Sequence, residues 1–218
     1  MGKPVLLVVG AGPGVGGSVA RRFGRDGYAT LLVGLHEPVL EELGRSLDSE
    51  GIDARWSAVD ITDARAFSAA VTELGESVGR IDVLHFNPSA FRQKTPLELR
   101  PDELAADVTL GVGALLTAVQ AARPFMSAGG RVTATGSMAA DRPWNEAASL
   151  GVQKAGLRNL VRSIDTTLRP DGIRAVSITV RGTLGREGSF TPDRVSEAIF
   201  AAAAQDGGDW QVEVPYSG

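Results

Sequence analysis

Lys154 is one of only three lysines in a chain of 218 residues, and it lies on the apolar stripe of a predicted helix. Between Ala147 and Arg169, the residues Leu150, Leu157, Leu160, Val161, Ile164 and Leu168 recur at helical spacing and mark one buried face. Lys154 falls on that face, one turn after Leu150. An ammonium there needs a partner, because burying an unpaired charge is strongly unfavourable. Two outcomes are open: a stem that snorkels its head to water or a carboxylate, or an amine held in a pocket, where desolvation turns it into a base. A second chemical signal stands near the start of the chain. Gly10-Ala11-Gly12-Pro13-Gly14-Val15-Gly16-Gly17 opens directly into Ser18-Val19-Ala20-Arg21-Arg22-Phe23. Glycines let the backbone turn sharply and approach a pyrophosphate without a Cβ in the way. The helix that follows offers free N–H groups and the positive end of its dipole. Between a strand and a helix, that pattern points to dinucleotide binding. No Walker lysine follows, which disfavours an NTPase loop.

The elements that must position these groups alternate along the whole chain. Candidate strands are Val5–Val9, Thr30–Val33, Ala54–Ala58, Val83–Phe86, Arg131–Thr135, Ala175–Thr179 and Gln211–Val214. Helical patterns lie between them at Gly16–Asp26, Val39–Glu50, Arg65–Ser77, Asp102–Met126, Ala147–Arg169 and Pro192–Ala204. Runs such as VLLVV and TLLV are continuously apolar, as in strands covered on both faces. Strict alternation implies right-handed crossovers, so the expectation is one α/β domain over residues 1–218, a doubly wound seven-stranded parallel sheet with helices on both faces. Thr191-Pro192 reads as an N-cap followed by proline at the first helical position. Thr95-Pro96-Leu97-Glu98 has the spacing of a capping box and marks a short helical turn.

Composition narrows the function. A net charge of −4 argues against nucleic-acid or anionic-membrane surfaces. Without cysteine there is no disulfide, thiolate or cysteine-ligated metal, and the two histidines, His36 and His85, stand too far apart to suggest a metal site. The first apolar segment is short and runs into glycines rather than a cleavage site, so no signal peptide is expected. No apolar run approaches a membrane span, and the cytoplasm is the expected location.

At this point the chain resembles the short-chain dehydrogenase/reductase family over essentially its full length. Gly10, Gly14 and Gly16 match that family's Gly-x-x-x-Gly-x-Gly loop, with Gly12 and Val15 between them. Asp60-Ile61-Thr62-Asp63 matches the Asp-Val-Thr-Asp segment after the third strand, and Phe86-Asn87-Pro88-Ser89 keeps only Asn87 of Asn-Asn-Ala-Gly. Thr133-Ala134-Thr135-Gly136-Ser137 aligns with the strand that carries the catalytic serine, and Lys154 falls at the family's lysine, seventeen residues on. The departures are equally specific. Leu150 occupies the place of the tyrosine in Tyr-x-x-x-Lys, Thr109 that of the helix asparagine, and Arg181-Gly182 replaces Pro-Gly. A short loop, Thr183 to Ser189, stands where relatives usually carry a longer substrate lid.

The resemblance implies a Rossmann-like fold that binds NAD or NADP, with Gly10, Gly12, Gly14, Val15 and Gly16 at the pyrophosphate. It places Asp60 and Ile61 at the adenine, and Asn87, Lys154 and Gly182 toward the nicotinamide; Leu35 and His36 stand at the ribose-selecting position, where a solvent-facing loop is the favoured account of His36 against contact with a phosphate or ribose. An acid after the second strand would select NAD and an arginine NADP; Val33-Gly34-Leu35-His36-Glu37 carries neither signature, so preference stays open. Ser137 and Lys154 are the implied catalytic pair, acting on a small carbonyl or alcohol. Leucine has no ionisable proton, and losing a positioned general acid typically lowers the rate by roughly 10²–10⁴-fold. A water held by Ser137 and Lys154 is one replacement; Tyr216 is another candidate, in its own or a partner subunit, although packing at the end of the last strand is the favoured account of it. Two further readings stand beside the oxidoreductase: a catalytically silent protein that binds a dinucleotide or metabolite, and a non-redox enzyme with Lys154 as base. The implied partners are a small-molecule substrate and a second copy, as a homodimer or homotetramer formed through Asp102–Met126 and Ala147–Arg169. Ala114, Leu115, Ala118, Ala121 and Ala122 are small or apolar residues that suit such an approach.

Overall fold

The computed structural model describes residues 2–206 and 208–218. Its strands are β1 (Val5–Val9), β2 (Ala29–Gly34), β3 (Ala54–Ala58), β4 (Val83–Phe86), β5 (Arg131–Ser137), β6 (Arg174–Val180) and β7 (Glu213–Tyr216). They form one sheet in the order β3-β2-β1-β4-β5-β6-β7, and every pair is parallel. The helices are α1 (Val15–Arg25), α2 (Glu37–Ser49), α3 (Ala64–Val78), α4 (Pro101–Val108), α5 (Ala114–Ala122), α6 (Ala148–Leu168) and α7 (Pro192–Ala203). The expected doubly wound α/β arrangement is therefore present.

Alternation along each strand divides the core in two. Leu7 and Val9 of β1 pack with Phe67, Val71, Leu115, Leu157 and Val161 on the α3–α5–α6 side. Leu6 and Val8 pack with Val19, Phe23, Leu40, Leu43 and Ile199 on the α1–α2–α7 side. β1 has β2 on one side and β4 on the other, so the winding reverses there and opens a crevice at the carboxyl ends of the strands. Both chemical signals in the sequence converge on that crevice: the glycine loop follows β1, and α6 packs beside β5 and β6.

Three expectations need correction. The helix anticipated over Asp102–Met126 is interrupted by a π-turn at Thr109–Gly113 and closes in a 3₁₀ turn at Arg123–Phe125. Glycines at 111 and 113 and Pro124 supply the local freedom and the stop. The run Pro101–Phe125 is also long and apolar enough to match a membrane span by length and composition, which the sequence reading had denied. Within that run Ala114, Leu115, Ala118 and Ala122 are buried against neighbouring elements. Third, the last strand begins two residues later than expected. The short helical turn expected at Thr95–Glu98 is present, with Leu99 N donating to Thr95 O at 2.9 Å and the Glu98 carboxylate accepting from Thr95 N (3.0 Å) and Oγ1 (2.8 Å). The Thr191 cap stands as read, its hydroxyl accepting from Arg194 N at 3.3 Å ahead of Pro192.

β7 forms one edge of the sheet. Its Val212 and Tyr216 carbonyls accept from Ser177 N and Arg181 N at 2.9 Å, and alternation turns the backbone of Pro215 to the open side. On the other side of β6, α6 is anchored by Asp165, a buried carboxylate. It accepts from Arg174 Nε (2.9 Å), Arg174 Nη2 (3.0 Å) and Ala175 N (2.8 Å). Removing it strands a guanidinium and a backbone donor together. Asp165→Ala is expected to lower unfolding stability by about 3 kcal/mol, read from the midpoint of denaturant unfolding; a shift near zero would mean the anchor is dispensable.

Candidate active site

The turn after β1 is built on Gly10, whose φ of 80° lies in the left-handed region that favours glycine. Gly10 N and Ala11 N both donate to Val33 O at 2.9 Å, which ties the turn to β2. A Cβ on Gly16 would stand 2.5 Å from Gly10 O, and one on Gly17 2.4 Å from Gly12 O, so the helix is seated directly on the turn. Gly12 and Gly14 are different: a Cβ there would meet nothing within 4 Å. The outer wall of the turn thus faces open space, and α1 starts at Gly14 without a side-chain cap. Uncapped N–H groups at an accessible helix start fit an anionic pyrophosphate.

Beyond β2 the side chains diverge. Leu35 is 60% exposed and His36 is exposed at the start of α2, while Glu37 accepts from Trp56 Nε1 at 2.9 Å. After β3, Asp60 folds onto its own loop, accepting from Thr62 N (2.9 Å) and Oγ1 (2.7 Å). Those two bonds hold its carboxyl below the usual aspartate value. The helix cap is Asp63, which accepts from Arg65 N and Ala66 N. Ile61 is buried beside Asp60.

Deeper in the crevice, buried polar groups join the strands. Asn87 Nδ2 donates to Gly10 O at 3.3 Å, and Asn87 Oδ1 accepts from Thr135 Oγ1 at 2.9 Å. His85, fully enclosed, lies between Thr133 Oγ1 (2.9 Å) and Thr135 Oγ1 (3.3 Å). Burial, and then the charge of Lys154, lower its pKa to about 3, so the ring is neutral at ordinary pH. Lys154 Nζ donates to Thr135 O at 2.8 Å. Its side chain does not snorkel; it is 5% exposed, and desolvation lowers the amine to about 8.

Ser137 ends β5 half-buried, its Oγ accepting from Ala139 N at 3.2 Å. This is a loop cap, and the hydroxyl still has its own proton to donate. Leu150, half-buried one turn before Lys154, brings no polar atom. Thr109 faces outward, its hydroxyl donating to Ala105 O at 2.9 Å, so it does not stand in for an inward asparagine. Gly182 lies under the Phe190 ring, 2.4 Å from where a Cβ would be. Tyr216 packs edge-on against Phe190 with ring centroids 5.6 Å apart and donates its hydroxyl to Ser189 O. It holds the short loop after β6 instead of reaching Ser137.

Two site-forming residues escaped the sequence reading. Gln153, fully buried next to Lys154, accepts from Ala90 N at 2.9 Å and donates to Ala90 O at 3.2 Å and Ser149 O at 3.3 Å. A Cβ on Gly111 would come within 2.5 Å of its Oε1, so the π-turn makes room for the amide. His85 was read only as a poor metal ligand; a histidine inside the apolar run VLHF was the available signal.

A family model described as short chain dehydrogenase matches residues 4–185. Oxidoreductase UcpA of Escherichia coli (strain K12) is 29% identical over 187 residues, covering 82% of this chain and 70% of that protein. Cis-4-hydroxycyclohexanecarboxylate dehydrogenase of Sinomonas cyclohexanicum is 28% identical over 178 residues, covering 80% and 71%. Among solved structures, a dehydrogenase/reductase from Sinorhizobium meliloti 1021 superposes with a TM-score of 0.90 at 19% identity, covering 99% of this chain and 94% of that one. A metagenomic short-chain oxidoreductase in complex with NADP gives 0.87 at 24% identity, covering 100% and 99%. With the family model matching from just before β1 to the loop beyond β6, on a frame that these structures share, the chain belongs to the short-chain dehydrogenase family of oxidoreductases.

Proposed function

We propose that this chain is an NAD(P)-dependent oxidoreductase acting on a small carbonyl or alcohol, with Lys154 as the source of the proton that a tyrosine ordinarily passes. The observation that carries the reading is the open glycine turn joined through Asn87 and Thr135 to a buried lysine. Gly10, Gly12, Gly14, Val15 and Gly16 hold the pyrophosphate, Leu35 and His36 flank the adenosine ribose, and Asp60 and Ile61 the adenine. Asn87, Lys154 and Gly182 border the nicotinamide end. A bound nicotinamide dinucleotide supplies or accepts the hydride. Ser137 donates its hydroxyl to the substrate oxygen and orients it. The Lys154 ammonium keeps two N–H groups beyond the one given to Thr135 O, and one delivers the proton as the alcohol forms, directly or through a single water.

Leu150 favours one other reading, a silent relative that binds the dinucleotide without turning over. Calorimetric titration with NADH and NADPH on the wild type and Lys154→Ala, followed by a carbonyl and alcohol panel, separates the two. The oxidoreductase is expected to bind at least one cofactor and to turn over; binding without turnover leaves the silent relative, and no binding of either cofactor removes both. Carbonyl reduction is expected to hold below pH 8 and fall above it as Lys154, held at about 8, loses its proton, while alcohol oxidation rises over the same range. A profile flat from pH 6 to 10 would take the proton from elsewhere. Leu150→Tyr is expected to raise the reduction rate by about 10²-fold, and an unchanged rate would mean no vacancy for a phenol exists. We also propose self-association through α4–α5 and α6. The small or apolar residues expected to mediate it, Ala114, Leu115, Ala118, Ala121 and Ala122, are buried in this chain's own core, which leaves Leu116 (45% exposed) and Val152 (49% exposed) on those helices; Val152 lines an apolar hollow of about 550 Å³ together with Leu99, Leu104 and Trp144. Light scattering is expected to give a dimer or tetramer at micromolar concentration; a monomer would count against it.

A further inference from the structure

The amino ends of the strands, at the opposite end of the sheet from the glycine turn and Ser137, hold a hollow of about 250 Å³. Its lining includes Phe23 from the end of α1, Tyr28 before β2, Asp82 before β4, Arg131 at the start of β5, and Phe200 and Ala204 from the end of α7. Two donors there have no protein acceptor among the described residues. Arg131 directs Nε to Ala203 O at 3.0 Å and Nη1 to Gly129 O and Gly130 O at 2.9 and 3.1 Å, which leaves both N–H groups of Nη2 unbonded. The Tyr28 hydroxyl is the other. Burial, together with the carboxylates of Asp82 and Asp26, raises its pKa, so the phenol keeps its proton and remains a donor.

Arg131 is also a half-buried cation without a counter-charge among the described residues. Its acceptors are neutral carbonyls, and burial, then the charge of Arg174, hold its pKa below the usual arginine value. The nearby charges are committed elsewhere: Arg174 to Asp165, and Asp82 to Arg80 and Val5 N. The remaining wall is aromatic. Phe23 meets Tyr28 and Phe200 edge-on, with ring centroids 5.2 and 4.9 Å apart. Three carbonyls and the Trp210 ring, 5.1 Å from the guanidinium carbon, hold Arg131 in place, so an arriving anion has little side-chain freedom to remove.

We infer that this hollow is a second ligand site, which binds a small aromatic monocarboxylate with its carboxylate on Arg131 and the Tyr28 hydroxyl and its ring against Phe23 and Phe200. Apolar walls with a few convergent polar groups are what small-molecule sites have in common, and the volume lies just below the range of about 300–1,000 Å³ for drug-sized ligands. A single negative charge is the one that fits. Asp82 shares the lining, and the carboxyl end of α7 carries partial negative charge; both disfavour a multiply charged ligand such as phosphate. The Ser137–Lys154 crevice contributes nothing to the lining, so this ligand is held and not turned over, and the site stands apart from the proposed oxidoreductase chemistry.

The test is calorimetric titration of sodium benzoate, benzamide and inorganic phosphate, at constant ionic strength, into the wild type, Arg131→Gln, Tyr28→Phe and Ala204→Phe. Ala204 is exposed at the rim, so a phenyl group there fills the hollow without touching its charged groups. The wild type is expected to bind benzoate saturably, and benzamide and phosphate about tenfold more weakly or less. Arg131→Gln should weaken benzoate by about tenfold or more and Tyr28→Phe by about threefold, while Ala204→Phe should abolish binding. Should Arg131→Gln fail to fold, Tyr28→Phe and Ala204→Phe decide. Absence of saturable benzoate binding, equal affinity for benzamide or phosphate, or an unchanged affinity in Tyr28→Phe overturns the inference. Benzoate binding that survives Ala204→Phe overturns it too, since the ligand then sits elsewhere, as in the crevice.

Discussion

The bond from Lys154 Nζ to Thr135 O is the constraint around which the crevice is organised. An ammonium inside a protein needs acceptors for its N–H groups, and here one of them is a strand carbonyl, not a carboxylate. Desolvation by burial holds the amine at about 8, and a carbonyl offsets that less than an ion pair would. The same residue that accepts from Lys154 uses its hydroxyl to reach Asn87, and Asn87 reaches the carbonyl of Gly10. A single hydrogen-bonded path therefore runs from the lysine helix across β5 and β4 to the glycine turn. Its members can hold their geometry only if all the strands keep register.

The arrangement of cations and neutral groups follows from this. His85 lies against the same path but carries no charge, since burial and the neighbouring ammonium both oppose its protonation. A protonated ring would place two cations in one enclosed volume. Among the described residues the buried interior thus keeps one cation, Lys154, and uses the histidine as a neutral link between two threonine hydroxyls. Below that layer, the Asp165–Arg174 fork fixes the far half of α6 to β6, so the position of Lys154 is set from both directions along its helix.

Much of this was legible in the residues. Continuous apolar runs gave β1 and β2 because a strand covered on both faces has no polar side to show. The glycine turn was legible since only glycine serves where φ is positive or a helix backbone lies against a carbonyl. Lys154 stood out as a charge on an apolar stripe. What escaped depends on contacts between distant segments. Nothing near Gln153 says that its amide will imitate a neighbouring strand to Ala90, and nothing near Gly111 says that its missing Cβ accommodates that amide. The π-turn escaped as well, because the alanine- and leucine-rich run on either side of it reads as one continuous helix. The place of Thr109 was readable by alignment but its direction was not, because the π-turn that begins there rotates the helix face.

The position of Pro215 on β7 has a consequence for what this sheet can become. A terminal strand normally presents alternating donors and acceptors to the surroundings, and any extended peptide that matches them can lengthen the sheet. Proline has no N–H to offer, and with its backbone turned to the open side it removes one rung from that ladder. Strand addition is thereby disfavoured at that border, whereas β3 at the opposite edge of the sheet carries no proline and keeps its full set of backbone donors.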